Sequence, residues 1–468
     1  MSTEISPEST PQENSDNEPS QTGLLVSIVI FIAFAAFWWL SSTTEATWAT
    51  LGFLMFEVAV ISIVIWQACD PFADAAQWVG QKLQIPGSVR GATLDAIASS
   101  MPELFSGIFF VVLAIQAVSG GGDAKAIEAA GAEGYGSTIA TCAGSAVYNM
   151  ILIPAFCALV IAYTRKERPT IDVEDEVISR DGVWFVACEM LLILFLFQNT
   201  MYWWMGIIFL IAYAIYIYQL YHDALVFRRK MAAIKSYLTE TSADVEIGEV
   251  IDALHAQGLN VSRTLTMQAQ DEIRLHISRE ELEEEETPDE AGAFFGYLSI
   301  PLNNLSTPLI LLTATIVSAV ACYFLVEVTI ETAKELAVPA FFVAVILAAA
   351  ASSVPDTFLA IAAARRGDDS GAVSNAFGSN IFDICVCLSI PLLVNSYLTG
   401  WQPVTLLQDG KPIAGLVGLR ILLVALTVAT LAIMWHNRQL TFKKAIVLCG
   451  LYAIFIAYAV LGSLGILF

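Results

Sequence analysis

The chain has 468 residues, 57% of them hydrophobic and only 14% charged, an apolar excess that excludes an ordinary soluble domain. Its net charge of −23 excludes the basic footprint of a nucleic-acid binder, and the acid is concentrated in the first 22 residues and between residues 222 and 297. The apolar runs are continuous rather than alternating, which excludes a β-barrel and leaves an all-α polytopic membrane protein.

In chain order, residues 1–22 form a Ser/Pro/Glu-rich tail without Lys or Arg, expected to be disordered. The run Leu24–Leu40 lacks the positive start of a secretory signal and reads as a retained anchor, so residues 23–46 are an extra transmembrane helix and linker. Apolar runs near the roughly 20 residues that cross a bilayer give eleven candidate spans: 24–40, 48–69, 88–118, 135–163, 182–199, 202–220, 308–328, 337–364, 371–396, 413–435 and 444–467. With the N-terminus inside, 18 of the 22 Lys and Arg fall on the cytoplasmic side. Lys125, Lys334 and Lys411 fall outside, and Arg420 lies near the outer end of a span, placed to snorkel. The long loop is then cytoplasmic and the C-terminus outside.

That loop, 222–300, opens with "FRRKMAAIK" and nearly closes with "EELEEEETPDE". It reads as a solvated acidic linker, because like charges repel, and it carries no EF-hand glycine turn. The eight cysteines lie in or at the ends of apolar segments without a CxxC pair and read as small buried hydrophobes. The four histidines lie in polar connections, with no HExxH.

Setting the first span aside, five spans precede the loop (47–221) and five follow it (301–468). Five is odd, so the halves enter the membrane from opposite sides: two inverted five-helix repeats, ten core helices in all, a common plan for secondary transporters. The halves match at their costliest residues. "ASSMPELF" (98–105) parallels "ASSVPDTF" (351–358), and "GSAVYN" (144–149) parallels "GSNIFD" (378–383). Ser100 and Glu103, Ser145 and Asn149, Ser353 and Asp356, and Ser379 and Asp383 are three or four apart, so each pair shares a helix face.

An ionised acid at mid-membrane costs about 3 kcal/mol on insertion scales, so a doubled acid points to an ion site rather than to packing. Carboxylate, hydroxyl and amide oxygens are hard ligands suited to Ca²⁺, and these motifs hold no sulfur or imidazole. Pro102 and Pro355 should break the helices beside the acids and free backbone carbonyls toward the ion. Glu103, Asp356 and Asp383 supply up to three negative charges, so one Ca²⁺ leaves one over, to be balanced by a monovalent cation or a proton. The emptied acids cannot cross the membrane charged, which makes the exchange obligatory. Glu57 and Glu189 face the bundle interior or an interface, and Asp95 is placed to pair with Arg90.

At these motifs the sequence resembles the cation/calcium exchanger superfamily, in particular sodium/calcium exchangers, whose paired repeats carry GTS-x-PE/D and GSN-x-x-N/D. The resemblance covers about 48–221 and 298–468. "CDPFADAAQWVGQKLQIPGSVRGATLDAIASSMPELFSG" (69–107) and "GSNIFDI" (378–384) are similar to the potassium-dependent branch, the latter also to prokaryotic members, and "GSTIATCAGSAVYNM" (136–150) to the potassium-independent animal branch. The resemblance implies Glu103 and Asp356 as central Ca²⁺ and Na⁺ ligands. It implies hydroxyl or nearby backbone oxygens from Ser99, Ser100, Ser352 and Ser353, and flanking sites completed by Ser145, Asn149, Ser379 and Asp383. The carbonyls of Ala96 and Ala349 would serve in opposite transport states, and Asp383 matches the position implicated in K⁺ binding. Ala98 and Ala351 replace family glycines, and the first repeat carries about 19 extra residues near "SGGGDAKAIEAAGAEGYG" (119–136), expected on the outer face. The folded calcium-sensing domains of animal exchangers do not fit in the loop.

The expected activity is Na⁺/Ca²⁺ antiport by alternating access at the cell membrane, with K⁺ co-transport as a variant and proton-coupled divalent exchange as the alternative. An intramembrane hydrolase lacks its motif contexts, and a channel would differ by its conductance. No enzyme chemistry, cofactor or obligatory protein partner is implied; the partners are inorganic cations and the lipid bilayer.

Overall fold

A chain in hydrocarbon must satisfy its own N–H and C=O groups, and coiling each apolar run does so within the segment. The computed structural model describes residues 21–464 except 45, 84, 167–168, 174–176, 243–244, 262, 264, 268, 271–272, 274–289, 409–410 and 413–414. The acidic tail expected over residues 1–22 lies almost wholly outside the described residues, as does most of "EELEEEETPDE".

The first half begins, after helix α1 (Gln21–Thr43), with α2 (Thr47–Lys82). A short α3 (Gly87–Arg90) passes through a π-helical turn (Gly91–Asp95) into α4 (Ala96–Ser119), and α5 (Ala124–Thr164) follows. Strand β1 (Ile171–Asp172), a second π-turn (Val177–Gly182) running into α6 (Val183–Leu196), β2 (Thr200–Met201) and α7 (Trp203–Glu240) complete it. The connecting region carries α8 (Ile247–Ala256) and the hairpin β3 (Glu290–Ala293) and β4 (Leu298–Pro301).

The second half opens with α9 (Ser306–Leu336). Then α10 (Ala340–Val343), a π-turn (Ala344–Ala348), α11 (Ala349–Ser352) and α12 (Val354–Arg365) together make one span. Helix α13 (Asp369–Phe382), the π-turn Asp383–Cys387 and α14 (Ser389–Leu398) make the next. Strands β5 (Val404–Thr405), β6 (Leu407–Gln408) and β7 (Lys411–Pro412), α15 (Leu416–Trp435), β8 (Gln439–Leu440) and α16 (Phe442–Ser463) close the chain.

Ten of these helical stretches are long and apolar enough to cross a membrane. The eleventh expected span, 182–199, is α6 with the π-turn ahead of it. Each half thus carries five spans in inverted order. Strands from opposite halves join at each end of the bundle: Ile171 pairs with Leu440 and Thr200 with Thr405.

Helix α5 is buried along most of its length, and the main core forms around it from Val147, Ile151, Phe185, Phe209, Phe377 and Phe382 among others. Helices α2 and α9 pack through a separate cluster, with Leu54, Val58, Ile61 and Ile65 against Cys322, Leu325 and Val328. Two glycines bring the halves together. A Cβ on Gly144 would lie 2.2 Å from the Val345 carbonyl oxygen, and one on Gly378 would lie 2.6 Å from the Ala92 Cα. Each Gly-Ser helix therefore rests directly on the π-turn of the other half, which explains why both motifs set a glycine before the serine.

The structure corrects several expectations. Pro102 does not break its helix: α4 runs through it, and the Ala98 carbonyl left without its intrahelical donor faces the Cys69 thiol at 3.9 Å. A neighbouring group compensates for the lost bond, as happens in membrane helices. In the second half the chain does turn, at Ser353 (φ −87°, ψ 1°), and Pro355 occupies the first turn of α12, where a missing N–H costs nothing. The alanines replacing family glycines, Ala98 and Ala351, are helical and buried, so neither position needs glycine's freedom.

The extra residues near 119–136 are mostly helical, within α5. After a short turn, Asp123 caps α5 by accepting from the Ala126 N–H at 2.9 Å, and the added turns pack inward, where Asn395 Nδ2 donates to the Gly131 carbonyl at 2.6 Å. The start of the long connection is not a solvated linker. Helix α7 extends to Glu240, and Met231, Ile234 and Leu238 pack with Val250, Leu254, Leu265 and Ala269 in a small core of their own.

Candidate ion-binding site

The Gly-Ser helices α5 and α13 cross the acid-bearing helices α4 and α12 at the bundle centre. Every expected polar site residue is fully buried there: Ser99, Ser100, Glu103, Ser145, Asn149, Ser352, Ser353, Asp356, Ser379 and Asp383 all show 0% exposure. Ala96 and Ala349 are buried too, but their carbonyls face hydroxyls of their own helices, Ser99 at 3.3 Å and Ser352 at 3.2 Å.

The two central acids hold matching partners. Ser145 Oγ lies 3.0 Å from Glu103 Oε1, and Ser379 Oγ lies 2.8 Å from Asp356 Oδ1. These are equivalent pairs in the two repeats. Other contacts cross between the halves. Ser353 Oγ reaches Glu103 Oε1 at 3.3 Å and Ser145 Oγ at 2.9 Å, and Ser145 Oγ also reaches Asp383 Oδ2 at 3.1 Å. Ser145 therefore sits between two carboxylates, and its single proton can serve only one of them at a time.

The symmetry then fails by one residue. The counterpart of the Ser145–Ser353 contact would be Ser379 with Ser100, yet Ser379 Oγ meets Ser99 Oγ at 3.3 Å. Helix α4 runs straight through Ser100, whereas the chain turns at Ser353 and redirects that hydroxyl.

What remains unpaired indicates the chemistry. Among the described residues, Glu103 Oε2, Asp356 Oδ2, Asp383 Oδ1, Asn149 Oδ1 and Ser100 Oγ are buried without a hydrogen-bond partner. Asn375 Oδ1 and Asn380 Oδ1 share that condition. Buried acceptors without donors cost about 1–3 kcal/mol each, and a cation satisfies several at once. The donor set is all oxygen, mixed carboxylate, hydroxyl and amide, which fits hard cations such as Ca²⁺ or Na⁺. Among the described residues no three His, Cys, Asp or Glu side chains converge as one metal cluster.

Two of these residues escaped the sequence reading. Asn375 Nδ2 lies 3.4 Å from Asp356 Oδ1, one turn before Ser379, and Asn380 Nδ2 donates to the Ala146 carbonyl at 3.1 Å across the repeat interface. A thiol also borders the site: Cys387 Sγ lies 3.5 Å from the Ser100 carbonyl.

The other charges singled out in the sequence lie outside the site. Arg90 pairs with Asp95 at 3.2 Å, as expected, and also with Asp368 at 2.8 Å. Glu189 is buried and accepts from Thr427 Oγ1 at 3.0 Å, whereas Glu57 is half-buried. Arg420 does not snorkel; it is 5% exposed, donates to Asn199 Oδ1 at 3.2 Å and lies over the Phe197 ring, because the turn after α6 offers it an amide oxygen and an aromatic face.

This geometry can be set beside known proteins. Human sodium/potassium/calcium exchanger 5 is 25% identical over 389 residues, covering 75% of this chain and 71% of that protein. Bovine sodium/potassium/calcium exchanger 1 is 28% identical over 165 residues, 35% of this chain but only 12% of the bovine protein's length. The solved structure of the H⁺/Ca²⁺ exchanger CAX superposes with a TM-score of 0.54 over 96% of this chain and 94% of that one; at 16% identity the likeness is one of fold. The family model described as sodium/calcium exchanger protein matches residues 20–221 and 306–461, most of the sequence, with both acid-bearing repeats inside the match. By that match the chain belongs to the sodium/calcium exchanger protein family.

Proposed function

We propose that this chain is a secondary antiporter that exchanges Na⁺ for Ca²⁺ across a cell membrane by alternating access. The observation that carries the reading is the set of orphaned carboxylate and amide oxygens at the crossing of the two repeats. Glu103 and Asp356 are the central ligands of Ca²⁺ and, in the other half-cycle, of Na⁺. Ser99, Ser100, Ser145, Asn149, Ser352, Ser353 and Ser379 supply neutral oxygens around them, and Asn375 joins this set. The carbonyls of Ala96 and Ala349 become ligands when their helices shift, each in one transport state. Helices α2 and α9, which pack through a cluster separate from the main core, are the pair that slides or rocks past the ion-bearing bundle.

The three acids of the site, with one divalent ion bound among them, leave a surplus negative charge. We assign its balance to K⁺ at Asp383, in keeping with the names of the relatives, which are sodium/potassium/calcium exchangers. The N-terminus and the 222–300 connection face the cytoplasm, and the C-terminus faces outside.

Radiolabelled Ca²⁺ uptake into proteoliposomes under imposed Na⁺, K⁺ or proton gradients tests the reading. Uptake should require an outward Na⁺ gradient and be stimulated by K⁺. Uptake driven by a proton gradient alone would replace it with proton-coupled exchange on the same fold. Glu103→Gln and Asp356→Asn should each abolish uptake in protein that remains monodisperse, and normal flux in either variant refutes the site.

A further inference from the structure

Asp181 is a buried carboxylate that the ion site does not use. It lies in the π-turn Val177–Gly182 ahead of α6 and shows no exposure. A buried carboxylate is costly unless it is paired and hydrogen-bonded, and four donors meet this one. Arg180 Nε and Nη2 grip Oδ1 and Oδ2 at 2.6 and 2.9 Å. Tyr216 Oη of α7 donates to Oδ1 at 3.1 Å, and Ser374 Oγ of α13 donates to Oδ2 at 3.1 Å. Arg180 is held in turn by the Ser88 carbonyl at 3.4 Å and by Asp223 at 3.5 Å. A carboxylate accepts about four hydrogen bonds, so Asp181 has no capacity left for an ion. It anchors whatever its donors belong to.

The donor that leads to the ion site is Ser374. It directly precedes Asn375 and lies five residues before Ser379, and those two hold Asp356 Oδ1 at 3.4 and 2.8 Å. Successive residues on a helix point about 100° apart, so fixing Ser374 against the first half also fixes the direction of Asn375. The setting is tight. Turning α13 by about 10° moves an atom 5–6 Å from the helix axis by about 1 Å, enough to break a contact already at 3.4 Å.

The inner end of α13 is tied in the same way, Asp368 to Arg90 at 2.8 Å and Asp369 to Arg165 at 2.9 Å. All three partners belong to the first half. The first repeat lacks these ties: matching Gly144–Ser145 to Gly378–Ser379 puts Ala140 in the place of Ser374 and Tyr135 in that of Asp369. The Tyr135 hydroxyl is buried without a partner among the described residues.

We infer that Asp181 is a positioning residue for the ion site: through Ser374 it sets the rotation of α13 and so carries Asn375 and Ser379 to Asp356. This role rests on the oxygen cage binding Ca²⁺, and it makes the affinity of the cage depend on a carboxylate that touches no ion.

Asp181 itself is a poor target, because removing it strands the buried Arg180 charge. Its donors give the test. Ser374→Ala and Tyr216→Phe each take one neutral donor from the same carboxylate, but only Ser374 sits on an ion-binding helix. In proteoliposomes of the full-length chain, Ser374→Ala should raise the Ca²⁺ concentration for half-maximal uptake about threefold, below the roughly fivefold worth of one net hydrogen bond. The maximal rate per reconstituted protein should not change. Tyr216→Phe should lower the melting temperature as much as Ser374→Ala does and leave the half-maximal Ca²⁺ concentration as it was. Isothermal titration of Ca²⁺ into the detergent-purified chain should show the same split in Kd. Equal shifts in both variants, or none in Ser374→Ala, overturn the positioning role and leave the ion site standing. Absence of Ca²⁺ binding by the native chain overturns the ion site and the positioning role with it.

Discussion

At the scale of single residues, the two halves of the site are not equivalent, and Asn375 shows why. Asp356 is one methylene shorter than Glu103. Its Oδ1 is held by Ser379 and by the Asn375 amide, while Glu103 Oε1 is held by hydroxyls only. The first-half counterpart of Asn375, one turn before Ser145, is Thr141, whose hydroxyl donates to the Ser137 carbonyl within α5. The second half therefore offers an amide oxygen at a position where the first has none. Asn375→Ala should raise the Ca²⁺ concentration for half-maximal flux about tenfold, the worth of one lost ligand of roughly 1.4 kcal/mol, with the fold unchanged by thermal melting. An unaltered Ca²⁺ dependence would remove Asn375 from the ligand set. Asp383 is a separate case, because its Oδ1 is orphaned and its Oδ2 shares the Ser145 hydroxyl with Glu103. Asp383→Asn removes the surplus charge, so Ca²⁺ uptake should lose its stimulation by K⁺, and an unchanged K⁺ response would place the K⁺ elsewhere.

At the scale of elements, the site depends on how closely α5 and α13 approach the opposite π-turns. A π-turn has no compositional signature, so "GATLD" and "AVILA" gave no hint that the helices widen just before the acid-bearing segments. The glycines were visible in both motifs, but the clash each one avoids appears only once the repeats are crossed. Gly144→Ala places a methyl group within 2.2 Å of a backbone oxygen, which no rotamer can relieve. Overpacking of this kind costs about 1–3 kcal/mol, and the displacement falls directly on Ser145. The melting temperature and the flux should therefore drop together, and Gly378→Ala should behave likewise. Gly450→Ala is the control, since nothing lies within 4 Å of its would-be Cβ and α16 should gain slightly from alanine. Equal behaviour of all three variants would show that the close crossing does not control the site.

At the scale of the whole molecule, the parts legible in the sequence are those where burial is costly. Doubled acids and serines at helical spacing announced the site, and apolar length announced the spans. Asn375 stayed hidden because repeat matching compares like with like, and its counterpart is a threonine. The small core around Ile234 and Leu254 stayed hidden because its apolar positions are interspersed with charge and adjoin an acidic run. Orientation is the global property that the charges imply most strongly. A reversed chain would expose Arg165, Arg365, Arg366 and the "FRRK" segment to the outside, against the retention of Lys and Arg on the cytoplasmic side. Single cysteines can read this directly, because seven native cysteines are buried and Cys449 alone, half-buried, needs replacement by serine. Gly121 lies in the turn between α4 and α5 with open space around it, and Arg366 is exposed after α12. In intact cells a membrane-impermeant maleimide should label Gly121→Cys, and should label Arg366→Cys only after permeabilisation. The opposite pattern would invert the topology. It would leave the buried oxygen cage untouched, because the crossing of two inverted repeats is the same seen from either side.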